Sequence, residues 1–353
     1  MRRWADLGSI GRAVVTVLMA SYASAALLAP LLHKRVLFFV GKGGVGKTTV
    51  AAAFSLAAAQ QGKKTLLIEI GDNNRAARLL NLLSHKQTAS TVREVSPTLS
   101  LLSTSGSAAL EEYLSLIIPV KRLVRMLVES YPYQYFVAAA PGLKELLTIG
   151  KVWYEERKRD AATQQPRWDL IVVDLPATGH GLQYLNMPCA ARDTFREGLI
   201  HREAERITSW LQDPDKTAVN LVATAEELPV SETLEAHQQL TEKLQLPLGA
   251  LFVNRMHEAP LSSTALSRLR ADAVKTSGED RDVAEQVLAC ASVETDWADA
   301  QEMYVKQLQF LPLPLVKLPL CVSREFGMTQ LTQLAQRMAP HLTAKRKRTK
   351  ASS

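Results

Sequence analysis

An α/β fold built on a mostly parallel, doubly wound sheet is predicted for this 353-residue chain by three observations. Short apolar runs of strand length alternate with longer stretches of helical periodicity, the pattern of parallel strands joined by helical crossovers. The first run leads into a glycine-rich turn and an alanine-rich helix. A later run, Trp168 to Asp174, ends in an acid, where ligands of open α/β sheets gather at the carboxyl edge of the strands.

The N-terminal stretch Ala13 to Leu32 is twenty residues without a charge, long enough to span a bilayer. Arg2, Arg3 and Arg12 ahead of it, with Ala23-Ser24-Ala25 inside it, also fit a signal peptide. Lys34 and Arg35 flank the far side, so charge sets no orientation. Export would separate the chain from a nucleoside triphosphate. We therefore read residues 1–34 as an upstream extension or a buried helix, with a cytosolic membrane anchor left open.

Val36–Val40 is the first strand and Thr48 to Gln61 the helix after it. Between them, Gly41-Lys42-Gly43-Gly44-Val45-Gly46-Lys47-Thr48-Thr49 fits G-x-x-x-x-G-K-[ST] at every fixed position. Glycines let backbone N–H groups converge on phosphate oxygens. The helix that follows points its positive end at the same anion. Lys47 is expected to reach the outer phosphates and Thr48 to offer its hydroxyl to Mg²⁺. Gly41-x-Gly43-x-x-Gly46 also fits a dinucleotide fingerprint, with Glu69 as the ribose-binding acid. Lys47 and Thr48 favour a nucleoside triphosphate with magnesium, and so a P-loop NTPase fold.

Further strands are expected at Lys64–Ile70, Thr98–Ser103, Asp169–Asp174, Ala218–Ala223, Leu248–Asn254 and Pro312–Leu318. The segment from Ser105 to Asp160 is too long for a simple crossover and has helical spacing. It predicts a helical subdomain over about 105–165, inserted between two switch regions. Its Tyr131-to-Phe136 segment reads as a packed helix start. Asp174 is placed to hold the metal. Leu175-Pro176-Ala177-Thr178-Gly179-His180-Gly181 reads as a switch segment able to sense a γ-phosphate.

These residues carry a family resemblance. The glycine loop, with its extra lysine at Lys42, resembles the deviant phosphate loop of the MinD, ParA and ArsA group. Asp174-Leu175-Pro176-Ala177-Thr178-Gly179-His180 is similar to the second switch of the ArsA branch, usually D-T-A-P-T-G-H. That branch includes arsenite-pump ATPases and the factor that targets tail-anchored membrane proteins. The resemblance covers about Arg35 to Met338. It implies ATP and Mg²⁺ as cofactors, with Gly41, Gly43, Gly44, Val45, Gly46, Lys47, Thr48 and Thr49 at the phosphates. It also implies that Asn254 and the segment around Val316 meet adenine, and that Lys42 crosses a dimer interface to the partner's nucleotide. The single loop implies a homodimer or a pair with a paralogue, coupled to an anion channel or a client protein. A MinD-like regulatory module with slow turnover is the alternative.

Two departures stand out. Relatives end the second strand with S-T-D-P-A or D-T-D-P-A; here Ile70 is followed by Gly71-Asp72-Asn73-Asn74, so Asp72 becomes the water-positioning candidate after a one-residue slip, with Glu69 in reserve. Cys189, Cys290 and Cys321 lie far apart, which excludes a Cys-x-x-Cys zinc site and a disulfide framework. Scattered thiols suit a reducing cytosol. The tail Lys345-Arg346-Lys347-Arg348-Thr349-Lys350 holds five of the positive charges behind the net +7. Without it the body is close to neutral and gives no reason to expect specific nucleic-acid binding. Residues 341–353 read as a solvated basic tail beyond a domain of about 35–340.

Overall fold

The computed structural model describes residues 27–71, 73–82, 91–117, 121–131, 133, 135, 142–258, 263–273 and 279–343. The Asp72 side chain, most of the 13–32 stretch and the basic tail lie outside the described residues. A 3-10 turn, Ala29–His33, precedes β1 (Val36–Val40). Then follow α1 (Lys47–Gln60), β2 (Thr65–Ile70), α2 (Arg75–Leu79), β3 (Val92–Ser96) and β4 (Leu99–Thr104). The helical stretch contains α3 (Gly106–Ile117), α4 (Lys121–Glu129) and α5 (Leu143–Arg157). Next come β5 (Leu170–Asp174), α6 (Thr178–Thr194), α7 (Leu199–Gln212), β6 (Thr217–Thr224), α8 (Glu227–Gln238) and β7 (Leu248–Met256). The chain closes with α9 (Ser263–Ala273), α10 (Glu279–Leu308), β8 (Leu315–Pro319) and α11 (Met328–Leu342).

The eight strands form one sheet in the order β3-β4-β2-β5-β1-β6-β7-β8. Every pairing is parallel except β3 with β4. The expected α/β sheet is therefore present, with one unexpected antiparallel edge strand. β1 lies between β5 and β6, so the loop after it opens at the centre of the carboxyl edge, beside the end of β5.

Two cores cover the two faces. Leu37 and Phe39 of β1 point to the core shared with α1 and α11, while Val36, Phe38 and Val40 point to the core shared with α5, α6, α7, α8 and α10. This is the period-2 alternation of a strand buried on both sides. Phe39, Phe54 and Phe252 meet at centroid distances of 5.6–6.2 Å and lock β1, α1 and β7 together. Each such ring contributes about 2–3 kcal/mol by burial.

The apolar N-terminal stretch joins the first core at its end. Leu28, Leu31 and Leu32 are buried, and the Leu28 N–H donates to the His341 carbonyl at 2.8 Å. Leu342 is buried too, two residues past the expected end of the domain at about 340. The Tyr131 segment is helical at its described positions but not packed: Tyr131 and Tyr135 are exposed. Among the described residues no helix is long and apolar enough to cross a membrane.

Candidate nucleotide site

The loop after β1 is shaped by two glycines that accept nothing larger. A Cβ on Gly41 would collide with the Val222 carbonyl of β6. Gly46 caps α1 with φ 84°, and a Cβ there would overlap the Asn254 amide. Only glycine adopts that conformation without cost. Val45 is buried and anchors the loop to the core, while Gly43 and Gly44 are exposed at its mouth.

Lys47, Thr48 and Thr49 form the first turn of α1. The Thr48 hydroxyl donates to Asp174 Oδ2 at 2.6 Å, and Lys47 Nζ lies 3.8 Å from Asp174 Oδ1. The register Phe39↔Asp174 between β1 and β5 brings the two motifs together. The Thr178 N–H donates to the Gly41 carbonyl at 3.0 Å, tying the second switch to the loop. Thr178, Gly179 and His180 are not a free turn but the first turn of α6, with His180 exposed.

Electrostatics mark this cluster as poised for an ion. Burial pushes the Asp174 carboxyl up to about 6, against the opposing pull of Lys47 and the Thr48 hydroxyl; neighbouring Glu69 adds to the rise. Burial also lowers Lys47, more than Asp174 restores it. Both partners thus lose by desolvation, as expected for a loose pair at 3.8 Å. Asp174 Oδ1 and the Thr178 hydroxyl are buried without hydrogen-bond partners among the described residues. An orphaned carboxylate oxygen beside a threonine hydroxyl fits a hard divalent cation with oxygen ligands.

Other expected residues fall elsewhere. Glu69 is 3 % exposed; Oε1 accepts the Ala76 N–H at 3.0 Å and Oε2 the Ser103 hydroxyl at 3.3 Å. It holds α2 against the sheet, with each oxygen already accepting one hydrogen bond. Val316 is 2 % exposed, its side chain packed in the first core. Asn254 ends up against the phosphate loop, donating from Nδ2 to the Val45 carbonyl at 2.9 Å. Lys42 turns back within its own chain, 2.6 Å from Glu232 on α8. Cys189 contacts only Arg192 and Asp193 of its own helix. No His, Cys, Asp and Glu cluster suited to a metal occurs among the described residues. Glu232 of α8 reaches Lys42, and Gln301 of α10 bonds the backbone of Arg255 and His257 next to Asn254; no local sequence signal announced either.

A family model described as anion-transporting ATPase matches residues 34–203 and 199–276. The chain belongs to the anion-transporting ATPase (ArsA) family. Among curated members of this family and its relatives, the ATPase BagA of Mycobacterium tuberculosis is 31% identical over 319 residues, covering 86% of this chain and 92% of that protein. The arsenical pump-driving ATPase of Acidiphilium multivorum is 28% identical over 58% of this chain and 37% of its own length. Its Escherichia coli counterpart is 27% identical over 58% and 36%. The matched residues 34–203 include the glycine loop, the acid at the end of β5 and Thr178-Gly179-His180.

Proposed function

We propose that this ArsA-family ATPase binds ATP with Mg²⁺ at the loop after β1, hydrolyses it, and works as a dimer coupled to anion transport or client-protein handling. The observation that carries the reading is the buried Thr48–Asp174 pair beside Lys47, with one carboxylate oxygen left unpaired. Thr48 and Asp174 would hold the cation. Mg²⁺, when bound, neutralises phosphate charge and favours in-line attack by water.

The chain's own groups do the rest. Backbone N–H groups from Gly43 to Thr49 and the positive end of α1 receive the phosphates. Lys47 stabilises charge that develops on the outer phosphate. Thr178, unpaired and bonded through its N–H to the loop, senses whether that phosphate is present and passes its state to α6 through Gly179 and His180. Asp72, directly after β2, is the acid left to orient the attacking water once Glu69 is committed to Ala76 and Ser103.

Lys42 would exchange Glu232 for the nucleotide of a partner, identical or paralogous. The two pump-driving relatives are each more than twice as long as the part this chain matches, which suits one half of a two-loop assembly. Lys47→Ala is expected to abolish ATP binding or turnover. Lys42→Ala should retain binding and lose dimer-dependent turnover. Normal hydrolysis by both purified variants would defeat the assignment.

A further inference from the structure

β7 and β8 fall out of step at their carboxyl ends. Val253 pairs with Lys317, but the next pair is Met256 with Pro319, so β7 carries one residue more than β8 over this stretch. Arg255 absorbs the excess with φ 57°, in the left-handed region. A non-glycine residue held there costs on the order of 1 kcal/mol or more and persists only when its surroundings over-determine it. Bulges of this kind re-aim the side chains beside them. Here the neighbour is Asn254, whose amide reaches the Val45 carbonyl inside the phosphate loop.

One side chain grips the bulge from outside. Gln301 of α10 is 6 % exposed. Its Oε1 accepts the His257 N–H at 2.7 Å, and its Nε2 donates to the Arg255 carbonyl at 3.1 Å. The amide therefore spans Met256 and satisfies a main-chain group on either side of it. The same helix supports the turn twice more: the His257 ring stacks on Trp297 at 5.6 Å, and its Nδ1 lies 2.8 Å from Glu294. Removing Gln301 would take two part-buried hydrogen bonds from the turn, and the strained Arg255 would lose its clamp.

We propose that Gln301 is a positioning residue for the nucleotide base: by clamping the Arg255 bulge it fixes Asn254 so that one amide serves the loop carbonyl and the base together. The inference rests on reading the loop as an ATP site. An asparagine amide has two N–H donors and an acceptor oxygen. With one N–H given to Val45, the oxygen and the second N–H remain, an acceptor–donor pair that adenine's 6-amino group and N7 match and guanine's O6 and N7, both acceptors, do not. Blurring the orientation of Asn254 therefore weakens base selection before it weakens the grip on phosphate.

The test measures affinities of the full chain for ATP·Mg²⁺, GTP·Mg²⁺ and inorganic triphosphate by calorimetry, with a thermal melt to verify folding. Gln301→Leu should lose at least about tenfold in ATP affinity and most of the ATP-over-GTP preference, while triphosphate affinity changes less than about threefold, a factor of ten being about 1.4 kcal/mol. Gln301→Glu keeps the acceptor for His257 and loses the donor to Arg255, so it should fall between. Arg255→Gly in the Gln301→Leu background should restore part of the preference, because glycine holds the left-handed turn unaided. Wild-type protein that ignores ATP·Mg²⁺ would sink the ATP reading itself. Wild-type protein that binds, alongside a Gln301→Leu variant of unchanged affinity and selectivity, would overturn the Gln301 assignment. So would equal losses for ATP and triphosphate, the mark of general loosening. If Gln301→Leu does not fold, Gln301→Glu decides on the same readouts.

Discussion

The Asp174 carboxyl gives one oxygen to the Thr48 hydroxyl and keeps the other unpaired, and burial pushes it up to about 6. A folded value above the ordinary 3.8 means that the folded state holds the proton more tightly than the unfolded chain. Stability without ligand is then greatest for this group below about pH 4, declines between about 4 and 6, and stays reduced above that. Roughly two pK units correspond to about 3 kcal/mol. Asp174→Asn should therefore flatten this part of the pH–stability curve and raise ligand-free stability at pH 7–8, while abolishing Mg²⁺-dependent turnover. Denaturant melts from pH 4 to 8 check it; a variant that follows the wild-type curve would show that the carboxylate is not strained. At this scale the sequence was readable wherever a backbone contact demands one residue type. Gly41 and Gly46 stand out because a Cβ there would meet Val222 or Asn254, while Lys47, Thr48 and Asp174 stand out as motif positions. The partners of Glu69, Ala76 and Ser103, are visible only in three dimensions, since a strand-end acid carries no local sign of what it bonds.

All seven strands expected from the sequence appear, Val36–Val40 unchanged and the others with ends shifted by at most three residues, because buried parallel strands read as continuous apolar runs. β3 escaped notice since Arg93 and Glu94 break the apolar pattern; as an edge strand it needs none. Arg93 instead binds the Leu82 carbonyl and the Ser103 hydroxyl, each at 3.0 Å. The join between α3 and α5 was equally hidden. Lys151 of α5 pairs with Glu112 of α3 and with Glu155 at 2.8 Å, and Lys158 lies 2.7 Å from Glu155. Glu155 is 1 % exposed. Burial alone would raise its carboxyl, but the two lysines more than offset this and hold it below the usual range. Its contribution is therefore present above the ordinary carboxylate value and lost as pH falls through the depressed one, the opposite sense to Asp174. Removing one partner of a buried pair costs about 3 kcal/mol or more. Glu155→Gln should destabilise the fold by about that amount, with the deficit shrinking in acid. Urea unfolding at pH 7 and pH 4 measures it, and an unchanged midpoint at pH 7 would mean that the network carries no weight.

Across the whole molecule, the loop lysine expected to leave its own subunit is held within it. Lys42 reaches Glu232, which with Thr178 and Gly179 lines the groove between α6 and α8, so the lysine, the second switch and α8 meet at one surface. In the proposed dimer Lys42 would leave this carboxylate for the partner's phosphate, so pairing of subunits would break the bond. Its strength sets how far it opposes that step. Both side chains are about one-third exposed, and ion pairs in such settings contribute roughly 0.2–1 kcal/mol. The latch is thus weak and salt-sensitive, a bias rather than a block. Glu232→Ala should raise ATP-dependent dimer formation by about 1.4- to fivefold, the change equivalent to that energy, and lift turnover at low protein concentration. At saturating concentration the rates should converge, because the catalytic groups are untouched. Sedimentation with a non-hydrolysable ATP analogue and turnover across a concentration series would show both effects. The gain should vanish in the Lys42→Ala background, where no bond remains to release. An equal gain with and without Lys42 would assign the effect to Glu232 alone and dismiss the latch.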